Sequence, residues 1–282
     1  MKAKIWTIEK GKVRKLRPPE ASRFDQLAIE EPLEIRLVSP PQTVAVTMRT
    51  PGHDFELAAG FLYNEGVVKS REDIQKISYC VDTEIDGTQR YNIVNVELRD
   101  GLSLNLRSLE RHFFTTSACG VCGKASLEGL QLRGCTSISD GLEITPEIIF
   151  NLPEQLRGAQ KIFSRTGGLH AAALFDAAGK LLSLREDVGR HNALDKLIGS
   201  AFLSNQLPFN NHIVMVSGRS SFEILQKCLM ARVPIICAVS APSSLAVTLA
   251  KEFGITLIGF LREERFNIYA GWERIQVTDE EL

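Results

Sequence analysis

The sequence predicts an α/β protein in which a smaller N-terminal α+β domain precedes a C-terminal α/β domain. In the second half, short and almost continuously apolar runs at 213–216, 234–239 and 255–260 alternate with amphipathic helical stretches. This alternation is typical of βαβ units in a sheet that helices cover on both faces. The first half instead has paired alternating runs joined by turn residues, which is typical of hairpins. A chain of 282 residues is also long enough for about two domains.

Turn and capping residues set the expected elements of the first half. These are a hairpin over Pro32–Met48 that turns at Ser39-Pro40-Pro41, a helix that starts at Thr50-Pro51-Gly52 and ends at Gly66, and a strand pair, Ile74–Val81 and Tyr91–Leu98, around Asp86-Gly87. Asp54 and Glu56 lie in the first turn of that helix, where carboxylates suit the helix dipole. Residues 1–23 are charged and aperiodic, so we expect a loose tail or an early edge strand there.

The second half follows a different pattern. We expect a helix over Pro146–Phe163 closed by Gly167-Gly168, a hairpin of Leu169–Phe175 and Leu181–Arg185, and then helix Arg190–Leu203, strand Ile213–Val216, helix Phe222–Ala231, strand Pro234–Val239, helix Ser243–Phe253 and strand Ile255–Phe260. The resulting units are a tail (1–23), an N-terminal α+β domain (24–110), a cysteine loop and linker (111–145) and a C-terminal α/β domain (146–282).

Composition excludes several classes of function. The 33 Lys and Arg residues nearly balance 34 Asp and Glu, so the chain has no general attraction to nucleic acid or to a membrane surface. Its best apolar run, Val233–Val239, has the length of a core strand and falls short of the ~18 residues of a membrane span. The basic N-terminus lacks the apolar segment of a signal peptide, and we expect a cytoplasmic protein.

Six cysteines are too few for a disulfide scaffold, but one pair is placed for chemistry. Cys119 and Cys122 are each followed by glycine, and Lys124 adds positive charge that favours a thiolate. Four interpretations stay open from these residues: half a zinc site, a thioredoxin-type redox pair, a nucleophilic or sulfur-carrying cysteine, and structural thiols. Zinc needs two more ligands and no second pair exists, so we assign no metal site. Cys228 and Cys237 lie in apolar stretches typical of core residues.

A dense polar cluster lies at a predicted strand-to-helix junction, Arg185–Lys196. Within it, Asp187 is typical of a helix cap, and Arg190 and Lys196 are typical of a solvated face. Asp187, Arg190, His191 and Asn192 within six residues are nevertheless more polar than a simple cap requires. We therefore predict a functional junction that includes Asp187 and His191.

Three loops follow the predicted parallel strands, and ligands of open α/β sheets bind beyond the carboxyl ends of strands. Two of them, 217–221 and 240–244, open helices with serines whose hydroxyl and backbone N–H groups suit phosphate, although N-capping explains either loop alone. Neither Gly-x-Gly-x-x-Gly nor a Walker lysine is present, which argues against a dinucleotide oxidoreductase or a P-loop ATPase. We expect an anion site for a nucleotide or diphosphate, with candidate residues Ser217, Gly218, Arg219, Ser240, Arg262 and Arg265.

With these residues assembled, the chain resembles the FdhD family of formate dehydrogenase accessory sulfurtransferases. The resemblance covers nearly the whole chain after about residue 25. Four motifs in one order carry it: Thr50–Leu62 (TPGHDFELAAGFL), Cys119–Gly123 (CGVCG), Arg185–Lys196 (REDVGRHNALDK) and Ser217–Arg219 (SGR). Several linked motifs are far more specific than any one of them.

The resemblance implies a sulfur carrier. A cysteine desulfurase would pass persulfide sulfur to Cys119, assisted by Cys122, and the protein would deliver it to the molybdenum bis-molybdopterin guanine dinucleotide cofactor required by formate dehydrogenase. The family's cofactor-binding stretch falls on Phe260, Leu261, Arg262, Glu263, Glu264 and Arg265. A homodimer and a three-layer C-terminal domain of the cytidine-deaminase fold are also implied.

Two further expectations concern the cysteine pair. A zinc deaminase carries His-x-Glu and then Pro-Cys-x-x-Cys, whereas Ala171-Ala172 follow His170 here and the pair lies upstream, so deamination is not expected. An alternative of another class stays open, namely a chaperone that only holds the cofactor. In that case Cys119 and Cys122 would be a redox switch or a zinc clip.

Overall fold

The computed structural model describes residues 1–5, 23–82, 85–87, 89–102, 130, 135–139 and 141–276. The predicted sulfur-carrying residues Cys119 and Cys122 lie outside these ranges. Within them, the chain is a mixed α/β structure with a two-stranded, a four-stranded and a six-stranded sheet. The four-stranded sheet lies in the first half of the sequence and the six-stranded sheet in the second half.

The first half contains the four-stranded sheet with helix α1 (Asp54–Asn64) packed on it. An antiparallel ribbon of β1 (Lys2–Ile5) and β2 (Arg23–Gln26) precedes the sheet. The four strands of the sheet are β3 (Glu31–Leu37), β4 (Gln42–Arg49), β5 (Ile74–Tyr79) and β6 (Ile93–Leu98). Their order in the sheet is β4-β3-β6-β5. The two predicted strand pairs are confirmed, since β3 pairs antiparallel with β4 and β5 with β6. They are joined by a parallel contact between β3 and β6.

The core of this half follows from alternation along β3. Leu33, Ile35 and Leu37 occupy every second position and are at most 2% exposed. They pack in one cluster with Leu57 and Leu62 of α1. Burying each such side chain contributes about 1.5–3 kcal/mol, so this face of the hairpin fixes which side of the sheet α1 covers.

The second half is a six-stranded sheet with helices on both faces, as the alternating pattern predicts. Its strands, in the order β12-β11-β10-β9-β7-β8, are β7 (His170–Phe175), β8 (Leu181–Asp187), β9 (Ile213–Val216), β10 (Ile235–Ala238), β11 (Thr256–Gly259) and β12 (Asn267–Ala270). The helices are α2 (Pro146–Ala159), α3 (Phe163–Thr166), α4 (Arg190–Leu203), α5 (Phe222–Met230) and α6 (Ser244–Glu252). β9, β10 and β11 are parallel and fully buried.

Alternate residues of the central strands belong to different cores. Ile236 and Ala238 of β10 pack in the cluster with α4, α5 and α6. Ile235 and Cys237 pack in the cluster with α2. Cys228 and Cys237 are fully buried core residues, as predicted, and burial raises the pKa of both thiols.

Two details differ from the sequence predictions. The helix expected to reach Phe163 ends at Ala159, because Gln160 leaves the helical conformation with ψ of 85°. The short helix α3 follows, and its first N–H groups are bound by Glu186, which accepts from Phe163 N–H at 2.8 Å. The edge strand β12 was not predicted, because its first two residues are exposed and it lacks an apolar run.

The two halves meet where α1 crosses α4. Each helix has a glycine at the crossing, Gly60 in α1 and Gly199 in α4. A Cβ atom added to Gly60 would lie 1.9 Å from the carbonyl oxygen of Asp195, and one added to Gly199 would lie 1.8 Å from that of Glu56. Both distances are far below van der Waals contact, so the helix backbones touch directly. Glycine is needed at both positions because no side chain fits between the helices.

We expect Gly60→Ala or Gly199→Ala to lower the free energy of unfolding by about 3 kcal/mol or more, since the helices must separate to admit the methyl group. Gly158→Ala in α2 is the matched control, because its added Cβ meets nothing within 4 Å. That change should leave stability unchanged or raise it by up to about 1 kcal/mol through helix propensity. Urea unfolding followed by circular dichroism measures all three. A Gly60→Ala protein as stable as the control would contradict the proposed close contact.

Candidate functional site

Loops from five strands of the second half meet at one edge of the sheet. The carboxyl ends of β9, β10 and β11 lie side by side in parallel register. Because β7 runs antiparallel to β9, its first residue His170 lies at the same edge, and Asp187 at the end of β8 pairs with it. We call this region the strand edge; it comprises His170 and residues 187–191, 217–221, 239–244 and 260–265.

The loops after β9 and β10 are bound to each other through their backbones. Ser220 N–H donates to the carbonyl of Ala241 at 3.3 Å, and Ser243 N–H donates to the carbonyl of Ser220 at 2.9 Å. The Ser243 hydroxyl accepts from Ala246 N–H at 3.2 Å and so caps α6. Ser243 is therefore an N-cap, which is the simpler of the two explanations considered above for the serines of loop 240–244.

Ser217 and Ser240 do not act as caps. The hydroxyl of Ser217 accepts from Ala171 N–H at 2.9 Å, which ties the loop to β7. The carbonyl of Ser240 accepts from Phe260 N–H at 3.2 Å. Phe260 itself has a φ of 52°, a left-handed conformation that is unfavourable for an aromatic residue, and its side chain is 41% exposed. The fold thus holds an exposed aromatic ring at the end of β11 against a local backbone preference.

The last loop presents arginines to solvent. Arg262 Nη1 donates to the carbonyls of Val239 and Leu261, which fixes its guanidinium over the neighbouring loop. Its Nε and Nη2 bond to no described residue. Arg219 and Arg265 are exposed, and their guanidinium groups likewise have no partner in the described part of the chain. The remaining predicted residues of this loop are Leu261, which is buried, and Glu263 and Glu264, which are exposed.

Asp187 is fully buried, and its carboxylate is surrounded by protein donors. Oδ2 lies 2.6 Å from Lys196 Nζ and accepts from Thr50 N–H at 3.1 Å. Oδ1 accepts from Gly189 N–H at 2.8 Å and from Asn192 Nδ2 at 3.1 Å. These four contacts use the acceptor capacity of the carboxylate and join the strand edge to the first half of the chain. The structure gives Asp187 a positioning role, and its direct contact with a ligand stays a prediction.

His191 is a neutral hydrogen-bonding group at pH 7. Burial, followed by the charges of Lys227 and Arg190, lowers the pKa of His191 to about 4. Its Nε2 lies 3.3 Å from the Ser221 hydroxyl and 3.7 Å from Glu223 Oε2. The Ser221 hydroxyl in turn donates to Glu223 Oε2 at 2.8 Å.

The strand edge thus combines groups that suit a phosphorylated ligand. The N-termini of α4, α5 and α6 all open there, and helix N-termini favour anions through their free N–H groups and dipoles. Guanidinium forks match phosphate oxygens in a bidentate geometry. Arg190 belongs to the predicted polar junction, although it was not named among the candidate binding residues. The contact of Thr50 with Asp187 was not predicted, because it joins positions that are 137 residues apart.

Other observations bear on cofactors and location. The described residues contain no group of three or more His, Cys, Asp and Glu side chains able to hold a metal ion. No helix in the described ranges is long and apolar enough to cross a bilayer.

A cleft of about 540 Å³ lies at the opposite edge of the sheet, near Gly254 and Trp272. Another of about 350 Å³ lies between the halves, near His53 and Lys161.

Comparison with known proteins agrees with this fold and with the motifs. A model of the FdhD/NarQ family matches residues 28–276. The chain belongs to this family. The sulfur carrier protein FdhD of Streptomyces coelicolor is 51% identical over 270 residues, which are 95% of each chain. The protein of the same name from Sulfurisphaera tokodaii is 46% identical, over 95% of this chain and 99% of its own.

A solved structure supports the same assignment. The crystal structure of a formate dehydrogenase accessory protein from Desulfotalea psychrophila superposes with a TM-score of 0.71. It is 25% identical and covers 98% of this chain and 99% of its own. The described residues therefore share their mixed α/β architecture with that protein.

In this FdhD/NarQ protein we expect Asp187→Asn to lower the free energy of unfolding by about 3–5 kcal/mol, because the Lys196 ammonium is left buried without its counter-charge. Lys196 is 1% exposed, and its only other acceptor among the described residues is the carbonyl of Thr50, at 2.8 Å. Combining Asp187→Asn with Lys196→Met removes the unpaired charge and should recover most of the loss. Urea unfolding compares the two variants. Equal destabilisation by the single and double variants would contradict this role of the pair.

Proposed function

We propose that the protein is a sulfur carrier that accepts sulfur from a cysteine desulfurase and delivers it to the molybdenum bis-molybdopterin guanine dinucleotide cofactor of formate dehydrogenase. The observation that carries this proposal is 51% identity, over 95% of both chains, to a protein named sulfur carrier protein FdhD. The accessory role given to the Desulfotalea protein supports formate dehydrogenase as the recipient. The cofactor is cargo in this proposal, and the chain acts as a sulfurtransferase.

The proposed acceptance step is thiolate exchange at Cys119. Its thiolate attacks the outer sulfur of the desulfurase persulfide, the sulfur–sulfur bond of the donor breaks, and the donor cysteine leaves as a thiolate. Cys119 then carries the persulfide. Cys122 assists acceptance or release, and Lys124 favours the thiolate form of the pair.

The proposed cofactor site is the strand edge. Each guanine dinucleotide carries a diphosphate, and the exposed guanidinium groups of Arg219, Arg262 and Arg265 supply donors for it. The loops 217–221 and 240–244 add hydroxyl and N–H groups, and the exposed ring of Phe260 supplies an aromatic surface for a base. The two carbonyl contacts of Arg262 support this assignment, since they hold its guanidinium in place before a ligand binds.

Three further parts of the proposal concern architecture and location. The strand order β8-β7-β9-β10-β11, a hairpin followed by strands alternating with helices, supports a cytidine-deaminase-like C-terminal domain. The division into an N-terminal domain (24–110), a cysteine loop and linker (111–145) and a C-terminal domain (146–282) stays a prediction, and the separate four-stranded and six-stranded sheets are consistent with it. A homodimer stays a prediction from the family resemblance, and a cytoplasmic location stays a prediction from the N-terminal sequence.

We expect the protein, after incubation with a cysteine desulfurase and cysteine, to gain about 32 Da per sulfur atom and to lose it on reduction. Cys119→Ala should abolish the adduct and Cys122→Ala should keep it, as measured by intact-protein mass spectrometry. Cys135→Ala, outside the motif, is the matched control and should load normally. Bound zinc without an adduct would instead support a zinc clip. The assignment of Cys119 is wrong if Cys119→Ala fully supports formate dehydrogenase while Cys122→Ala does not.

For the cofactor site, we expect the fragment GDP to bind the wild-type protein and to bind Arg262→Ala or Arg265→Ala about 10- to 100-fold more weakly, since a charged hydrogen bond contributes about 1.5–3 kcal/mol. Arg262→Lys keeps the charge but loses the fork and should bind GDP more weakly than wild type. Arg157→Gln, an exposed arginine of α2, is the control. Calorimetry measures all four. Unchanged affinity in both alanine variants would place the site elsewhere.

A further inference from the structure

An exposed tryptophan lies beside the cleft near Gly254, far from the strand edge. Trp272 is 68% exposed, although tryptophan is on average a highly buried residue. It lines the cleft of about 540 Å³ together with Tyr269 and Ile268, and Ile268 is also exposed. Exposed apolar side chains that adjoin one another at a concave surface mark interaction sites.

The cleft and the tryptophan are both held in place by the chain itself. Arg274 Nη1 donates to the carbonyl of Gly254 at 2.8 Å, and Arg274 Nη2 donates to the carbonyl of Ile138 at 2.8 Å. These bonds join three segments of the cleft wall. Gly271, directly before Trp272, has a φ of 68°, a left-handed conformation that favours glycine. The exposed position of Trp272 is therefore set before any partner binds.

The same lining carries two exposed charges of opposite sign. Lys251 lies in the last turn of α6, and Glu273 follows Trp272. Neither side chain forms an ion pair or a hydrogen bond within the described ranges. The third charged residue of the lining, Arg274, is engaged with the carbonyl groups named above. A strongly acidic or basic partner would pair with one of the two exposed charges and place a like charge beside the other.

We propose that this surface is the contact between two copies of the chain, in which Trp272 of each copy enters the cleft of the other. In a twofold contact the same patch of both subunits meets itself, so Lys251 of one copy lies opposite Glu273 of the other. The cleft falls within the range of about 300–1,000 Å³ of sites that enclose small molecules, so it admits an indole ring. Tryptophan is also enriched among the residues that dominate the energy of interfaces.

The size of stable interfaces sets the extent of the contact. Such interfaces bury about 800 Å² on each partner, which is more than a cleft of this size supplies. We expect the contact to continue over the outer side of β12, because no described strand pairs there and Asn267 and Ile268 are exposed. The family resemblance predicts a homodimer but gives no surface for it, and the proposed sulfur transfer does not depend on this one.

The first test follows the environment of Trp272 in the full chain. The sequence has two tryptophans, so Trp6→Phe leaves Trp272 as the only one. We expect its fluorescence emission to move to shorter wavelength as the protein concentration rises, because the ring leaves water when the dimer forms. Sedimentation velocity over the same dilution series measures the dimer directly.

Side-chain truncation tests the role of the ring. Trp272→Ala should weaken dimerisation by about 30-fold or more, as expected for an aromatic residue at the centre of an interface. Leu182→Ala is the control, because Leu182 is an exposed residue of β8, the outermost strand on the other side of the sheet. This variant should dimerise as the wild type does.

Charge reversal tests the pairing across the contact. Lys251→Glu and Glu273→Lys each place like charges opposite one another and should weaken dimerisation by about tenfold. The double variant restores opposite charges and should recover the wild-type affinity. An equal mixture of the two single variants should form heterodimers in preference to either homodimer. Both side chains are exposed, so we expect circular dichroism to show an unchanged fold in all three variants.

The outcomes separate this surface from the proposed function. A chain that is monomeric at every concentration would overturn the surface and the predicted homodimer together, while sulfur loading of Cys119 would still test the carrier function. Dimerisation that is unchanged in Trp272→Ala and in both single charge variants would place the dimer contact elsewhere and overturn the surface. A monomer whose Trp272 emission shifts only when the cysteine desulfurase is added would assign the surface to that partner and also overturn this proposal.

Discussion

The direct contact between α1 and α4 is the constraint on which the rest of the molecule depends. α1 covers the four-stranded sheet, and α4 packs on the six-stranded sheet. At Gly60 and Gly199 the two helix backbones approach so closely that a methyl group on either would overlap a carbonyl of the other. Helix axes more commonly lie 8–10 Å apart, with side chains between them. The position of one sheet relative to the other is therefore set by backbone against backbone.

The same crossing also sets the geometry of the strand edge. Thr50, shortly before α1, donates its N–H to Asp187, and its hydroxyl accepts from Val188 N–H at 3.2 Å. Both partners lie just before the first turn of α4, where Arg190 and His191 are located. Movement of α1 along α4 would shift Thr50 and hence this turn. The polar groups of the edge are thus positioned by the first half of the chain, although nearly all of them belong to the second half.

The sequence predicts the buried elements well and the contacts between halves poorly. β9 and α4 were predicted to the residue, because continuous burial leaves a clear apolar pattern. β12 leaves no such pattern, since half of its residues are exposed. Gly60 and Gly199 look like ordinary helical glycines in sequence. Their importance depends on a contact between positions 139 apart, which no local pattern reports.

The candidate site was likewise predictable only where it depends on the order of the strands, and not where it depends on contacts between distant residues. The loops after the parallel strands could be placed at one edge from their order alone, because parallel strands align their carboxyl ends. Arg190 could not be assigned in this way. Its position beside Gly218 depends on the antiparallel pairing of β7 with β9 and of β8 with β7. The density of polar residues over 185–196 was the available signal, and it did not separate Arg190 and His191 from the buried pair of Asp187 and Lys196.

A buried ion pair of the second half is tied to the first half by one hydrogen bond. Lys227 Nζ lies 2.7 Å from Asp195 Oδ1, which also accepts from Asn64 of α1 at 2.7 Å. Burial raises the pKa of Asp195, so keeping this carboxylate charged is costly, and each of its donors offsets part of that cost. A shift of α1 by one residue along α4 would keep the ion pair but lose the donor from Asn64. The glycines thus permit close contact at one place, and the Asn64 hydrogen bond favours the same register. The seam in this way also fixes Thr50 and the turn of residues 187–191 that Thr50 binds at the strand edge.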